Sequence, residues 1–260
     1  MGKNKLCHSC LVCGSQEYEK VYSFDEVPEF RRILPRKDIV KCKNCSLVYC
    51  YPRNLDQTMV ETYENDYWYE FQTKVKEKPI TERVDEFNSI SMERVSYIKK
   101  IKSSGSLLDV GCSMGFLVKA ASEQGFKAAG IDLNQRDIDY GVQNFKINLF
   151  KEFLHDHQAK YDVITSYNVI EHVSDPKKML KDMSLRLNNR GIVVIGTHDI
   201  ECLSHEKEGV NWKHIVPNEH MYYFSRKTMA NLANSVGLEE FYYYKPIDNG
   251  FVSFYRESSS

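Results

Sequence analysis

Residues 107–117 read LLDVGCSMGFL, and the five from Gly111 to Gly115 support two different chemistries. As G-x-S-x-G they fit the strand-to-helix elbow that presents a nucleophilic serine, here Ser113. As a glycine-rich turn they let a cofactor lie against bare backbone, with Ser113 as a spacer. Asp132 discriminates between the two. It stands 17 residues beyond Gly115, at the end of the next apolar run, where a carboxylate can accept hydrogen bonds from both hydroxyls of a ribose. A hydrolase elbow has no use for that acid and should follow several earlier strands, whereas this one follows the first of its region. Asp109 supplies a second carboxylate, suited to a positively charged ligand. The cofactor loop is the reading carried forward, with a serine hydrolase as its competitor.

Cysteine placement points to a second chemistry. Six of the eight cysteines lie in the first fifty residues, at positions 7, 10, 13, 42, 45 and 50. The basic N-terminus MGKNKLCHSC shows no apolar segment or cleavage site of a secretory signal, so the clustering favours metal over disulfides and a cytoplasmic location is expected. Cys10-Leu-Val-Cys13 and Cys42-Lys-Asn-Cys45 make two C-x2-C knuckles separated by 28 residues, four thiolates suited to tetrahedral Zn²⁺. Cys7 forms a competing knuckle with Cys10. Gly14 favours the 10/13 pair because it permits a tight turn after the second ligand, which leaves Cys7 and Cys50 as spare cysteines.

The remaining chain must position these groups. With 42% apolar and 27% charged residues among 260, it can bury a substantial core. A formal charge of -1 and a pI near 6.7 give no general attraction to nucleic acid or anionic membrane, and no apolar run approaches the about 18 residues of a membrane span. Composition divides the chain into a cysteine-rich module (1–53), a polar helical and aromatic segment (54–104) and an alternating region (105–260). In the last, SLLDV, KAAGID, INLFKEF, YDVITS and IVVIGT read as strands. Between them lie a helix stopped at Gly125, one from about Gln135 to Asn144, and one opened by Ser174-Asp175-Pro176 that carries Leu180, Met183 and Leu187 and ends in Asn188-Asn189-Arg190-Gly191. Ser225 caps a further helix, and EEFYYYK and FVSFYRE read as a final pair of strands. This alternation predicts an α/β fold, a largely parallel sheet covered on both faces.

LLDVGCSMG, GIDLN, YDVITSYNVIEHVSDP and LNNRGIVVIGT, in that order, resemble the class I S-adenosylmethionine-dependent methyltransferases. The resemblance runs from about Leu107 to Gly237 and implies a doubly wound, mostly parallel seven-stranded Rossmann-like sheet. Carried over residue by residue, it implies that Asp109, Gly111, Cys112, Ser113 and Gly115 lie along the cofactor, that Asp132 binds the ribose, and that Leu133 packs on adenine. It also implies that the segment from Asn168 faces the reacting methyl group. Ser113 departs from the commonest loop, which has glycine there, and the adenine-side residue after the third strand stays open among Lys151, Glu152 and Phe153. The segment CLVCG…KCKNCSLVYCYP…ETYENDYW also resembles the zinc-binding N-terminal module of some bacterial methyltransferases of small-molecule and surface-sugar pathways, whose aromatic residues close over the cofactor. Tyr63 and Tyr67 are the candidates here.

Methyl transfer from a sulfonium is an in-line displacement, so a hydroxyl acceptor must be held in line and lose its proton. Candidate bases are His172, His198, His214 and His220, with His220 and His172 foremost. Glu171, His172 and His220 also resemble part of the metal site of the small-RNA 2′-O-methyltransferases, although Asn168 stands where that family has another glutamate. This offers a second divalent ion as a further cofactor. The expected function is methyl transfer to a small molecule, most simply a hydroxyl of a sugar or sugar-derived intermediate, by a monomer or homodimer. An RNA methyltransferase docking through the zinc ribbon is the alternative. Near-neutral charge and the lack of an N-P-P-Y type motif at Asn168 argue against it. A non-catalytic binding module is a third reading, opposed by the intact loop and Asp132.

Overall fold

The computed structural model describes residues 6–7, 9–31, 36–54, 82–217, 219–246 and 250–258. Tyr63, Tyr67 and the aromatic residues around them lie outside the described residues. The chain divides into two compact units, one of residues 1–59, 167–181 and 194–260 and one of residues 60–166 and 182–193.

At the N-terminus, β1 (Leu6–Cys7) pairs antiparallel with β5 (Arg53–Asn54), and β2 (Tyr18–Tyr22), β3 (Asp38–Cys42) and β4 (Val48–Tyr51) form an antiparallel meander. A short late strand, β11 (Tyr222–Tyr223), adds to β4 and makes this sheet four-stranded, in the order β11-β4-β3-β2. Apolar burial explains the addition. Val27, Ile39, Val48 and Cys50 share one cluster with Ile200, Trp212, Ile215 and Tyr223, so the cysteine module and the segment after residue 194 fill a common core.

Helix α1 (Val84–Ile101) opens with Asp85 and Glu86 and closes with Lys99 and Lys100, charges that complement the helix dipole. After it the chain alternates as β6 (Gly105–Val110), α2 (Phe116–Glu123), β7 (Phe126–Asp132), α3 (Gln135–Phe145), β8 (Asn148–Lys151), β9 (Tyr161–Tyr167), α4 (Pro176–Leu185) and β10 (Leu187–His198). Then follow α5 (Leu203–Glu208), β11, α6 (Arg226–Asn234), β12 (Leu238–Tyr244) and β13 (Gly250–Glu257). The sheet runs β12-β13-β10-β9-β6-β7-β8. The β6 pairs with β7 and β9 and the β7–β8 pair are parallel, and β12–β13 is antiparallel. This is the seven-stranded, mostly parallel sheet expected from the sequence. Strand order reverses at β6, where ligands bind in open α/β sheets. One expectation needs correction. The helix ends at Leu185, and residues 187–191 already belong to β10. Arg186 ends the helix by donating to the carbonyls of Asp182, His155 and His157, and the Asn188 amide donates to Asp162 instead of serving a helix C-terminus.

Two glycines seat the turn after β6. A Cβ on Gly130 of β7 would lie 2.7 Å from the Cys112 side chain, and one on Gly141 of α3 would lie 2.4 Å from the Met114 carbonyl oxygen. The second contact is with backbone, so relief requires the whole turn to shift. Gly141→Ala gains about 1 kcal/mol of helix propensity and incurs about 1–3 kcal/mol of overpacking. Overpacking should win, lowering the urea midpoint. An unchanged or raised midpoint would show that the turn is not clamped against α3.

Candidate functional site

The turn between β6 and α2 is built by unusual backbone. Gly111, Ser113 and Gly115 all have positive φ, at 74°, 47° and 77°, a region where glycine is at ease and serine strained. Ser113 is held there from both ends. Its N–H donates to Asp132 Oδ2 at 2.7 Å and its hydroxyl donates to Asp137 Oδ2 at 2.6 Å. A serine in place of the commoner glycine therefore brings its own tether. The partner of that hydroxyl is a carboxylate and not an imidazole, which is not the arrangement of a serine nucleophile. Asp132 Oδ1 also accepts the N–H groups of Leu133 and Asn134, at 2.7 and 2.9 Å. Burial raises the Asp132 pKa and these three backbone donors oppose the rise. Beneath the turn, Asp109 is buried and accepts from the Thr165 hydroxyl at 2.7 Å. Burial pushes its pKa to about 7 against the Thr165 bond and the Arg94 charge. Cys112 is buried too, its thiol raised well above normal by burial and then by Asp132 and Asp109.

The other unit carries a second constellation. Directly after β9, Asn168 turns the chain with φ 55°, its N–H donating to the Gly196 carbonyl. Glu171, His172 and His220 then come together, one ligand atom of each lying within 4.8 Å of the others, and all three are buried. The Glu171 carbonyl accepts the N–H groups of Met221 and Tyr222, and the Tyr222 hydroxyl donates to the Ser174 carbonyl, so the two segments are laced together. His172 Nδ1 donates to the Glu219 carbonyl at 3.0 Å and His220 Nδ1 to the His214 carbonyl at 2.9 Å. Burial holds both imidazoles neutral, His172 at about 4 and His220 well below normal, the latter with help from His172 and His198. Burial pushes Glu171 up to about 7, and its own N–H and the Thr197 hydroxyl temper that rise without either completing a hydrogen bond to the carboxylate. Glu171 and His220 border a small cavity with Thr197, His198, Trp212, His214, Tyr222 and Tyr223. All four histidines named from the sequence as candidate bases gather here, the His198 and His214 rings stacked at 3.5 Å and His172 edge-on to His220 at 4.7 Å. Thr197, Trp212 and the Tyr222–Tyr223 pair were missed by sequence reasoning, as was Asp137. Trp212 had a signal in its place beside His214 in NWKHIVPNEHMYY.

Cys10, Cys13, Cys42 and Cys45 converge, with Sγ atoms 3.4 Å apart for Cys10 and Cys45 and 3.5 Å for Cys13 and Cys42. Sulfurs on a tetrahedral zinc at about 2.3 Å lie about 3.8 Å apart, so the four thiols fit that ion after a small expansion. Cys10 and Cys13 both belong to this quartet, and Gly14 beside them has φ 73°. Cys50 sits elsewhere, its thiol donating to the His220 carbonyl. The side chain of Cys7 lies outside the described residues.

Residues 81–240 match the family described as a methyltransferase domain, and the chain belongs to that family. It is 32% identical to the ubiquinone biosynthesis O-methyltransferase of Rickettsia bellii (strain OSU 85-389) over 118 residues, 40% of this chain and 49% of that one. It is 33% identical to the protein of that name from Pelagibacter ubique over 132 residues, 43% and 53% of the two chains. The chain thus spans about half the length of the curated relatives it matches. Among solved structures it resembles magnesium protoporphyrin IX methyltransferase from Synechocystis PCC 6803 with bound SAH (TM-score 0.60, 13% identity, 78% of this chain and 100% of that one). It also resembles a possible histamine N-methyltransferase from Thermotoga maritima (TM-score 0.55, 17% identity, 77% and 100%). The fold is that of the class I S-adenosylmethionine-dependent methyltransferases, as the sequence motifs implied. Among the described residues no helix is long and apolar enough to cross a membrane.

The Asp109 environment makes a signed prediction. Its folded pKa, about 7, lies above the unfolded value of about 3.9, so between these the folded chain holds more protons than the unfolded one. Its contribution is intact below about pH 4 and is lost as pH rises through about 7. Asp109→Asn removes that loss. In urea melts the variant should match wild type near pH 4 and exceed it at about pH 8, by on the order of 2–4 kcal/mol. Equal stabilities at both pH values would contradict the buried neutral acid.

Proposed function

We propose that this chain transfers the methyl group of S-adenosylmethionine to the hydroxyl of a small molecule, and that the acceptor is a sugar or sugar-derived intermediate. The observation that carries the donor half is Asp132. Three backbone N–H groups aim its carboxylate beside the Gly111–Gly115 turn, and such an acid after the second strand suits ribose hydroxyls. Asp109, Gly111, Cys112, Ser113, Gly115 and Leu133 complete the donor set, and Asn168 and Tyr67 are assigned to the cofactor as well. When bound, the sulfonium supplies an electrophilic methyl group, and the protein's part is to orient donor and acceptor in line.

Oxygen as the acceptor atom is supported by relatives named O-methyltransferases. Glu171, His172 and His220 are assigned to the acceptor's hydroxyl, whose ionisation they promote. Two neutral imidazoles and a carboxyl group, all buried, put proton acceptors where bulk water is largely excluded. The cysteine quartet takes a structural zinc that steadies the β2–β4 module. The formal charge of -1 disfavours RNA as the substrate.

The test is label transfer from methyl-labelled S-adenosylmethionine to a panel of sugar nucleotides, simple phenols and transcribed RNA. Label should enter a sugar hydroxyl as an ether. His220→Ala should slow that transfer about 100-fold or more while S-adenosylhomocysteine affinity changes little. Label confined to phenols would replace the sugar assignment, label confined to RNA would overturn the small-molecule reading, and cofactor binding without transfer to any acceptor would favour a binding module.

A further inference from the structure

We infer that Glu171, His172 and His220 are ligands of a divalent transition ion of the zinc or cobalt class, distinct from the metal of the cysteine quartet. The inference starts from an imbalance of donors and acceptors. A carbonyl can only accept, so Nδ1 of His172, bonded to the Glu219 carbonyl, and Nδ1 of His220, bonded to the His214 carbonyl, must carry the ring protons. In the neutral rings Nε2 then presents a lone pair. A backbone carbonyl fixing the remote nitrogen is the usual support of a metal-binding histidine.

The third member is Glu171, 2% exposed, with neither carboxylate oxygen completing a hydrogen bond. A buried carboxylate left in that state is strongly disfavoured unless a cation or proton joins it. Two imidazoles and one carboxylate, with ligand atoms within 4.8 Å of one another, offer three ligands to a single ion. Imidazole donors select zinc, cobalt or iron over magnesium or calcium, which prefer oxygen shells. The adjoining cavity is small and partly open, space suited to an ion and about one water. Three protein ligands leave a coordination position open. An ion there places positive charge beside the acceptor's hydroxyl, lowering its pKa so that its proton leaves to solvent. That consequence rests on the proposed methyl transfer, but the ion site does not.

The experiment titrates Co²⁺ into full-length chain whose cysteine quartet is already filled with zinc, and follows bound metal and visible absorption. One cobalt per chain should bind with weak ligand-field bands and no thiolate charge-transfer band, giving two metals in all. Glu171→Gln and His220→Gln should each weaken this cobalt at least about tenfold while keeping the zinc, the thermal melt and S-adenosylhomocysteine binding. A single metal per chain in wild type, or variants that hold cobalt as tightly as wild type, would overturn the site. S-adenosylhomocysteine titration of the same samples separates the two claims. Nucleoside binding without cobalt removes the ion alone, and cobalt without nucleoside binding removes the methyltransferase reading and leaves the ion.

Discussion

The Asp132 carboxylate is the constraint on which the turn after β6 depends. It stands at the end of β7 and gathers the N–H groups of Ser113, Leu133 and Asn134. The turn after β6 is thereby hung from the neighbouring strand. Ser113 can keep φ 47° because this bond and the Asp137 bond act on the same residue. Gly130 and Gly141 let β7 and α3 approach the turn to distances that a side chain would forbid. The glycines, the acids and the strained serine therefore form one device, a length of rigid open backbone with a carboxylate at its edge.

The second unit uses burial differently. Removal from water raises Glu171 and lowers His172 and His220, so all three tend toward neutrality at the same pH. Backbone carbonyls orient the two rings, and the β11–β4 pairing joins their supporting segment to the cysteine module. A structural zinc in that module would act on the pocket mechanically, by fixing β3 and β4, without taking part in chemistry.

Much of the alternating region around the turn after β6 was legible because its signals are local. Buried parallel strands appear as short apolar runs, their ligand turns follow at once, and the acid of the next strand falls at a fixed spacing. The cysteine pairs were legible because tetrahedral coordination demands closely spaced knuckles. Other features depend on distant partners. The strand Tyr222–Tyr223 has two residues, too few for periodicity, and exists because β4 offers an edge. Helix α5 buries no residue and so left no apolar stripe. Leu180, Met183 and Leu187 share a helical spacing, yet Leu187 is the first residue of β10, because Arg186 had already capped the helix. Trp212 and Thr197 belong to the pocket through packing that no motif encodes.

Calorimetric titration with S-adenosylhomocysteine, on zinc-loaded wild type and on Asp132→Ala, tests the central claim most directly. Wild type should bind in the micromolar range, about -8 kcal/mol. The variant should lose about 100-fold or more, since two hydrogen bonds to a charged carboxylate contribute about 1.5–3 kcal/mol each. Folded wild type that does not bind, or a folded variant that binds equally well, would contradict the assignment of this turn and its acid to the methyl donor.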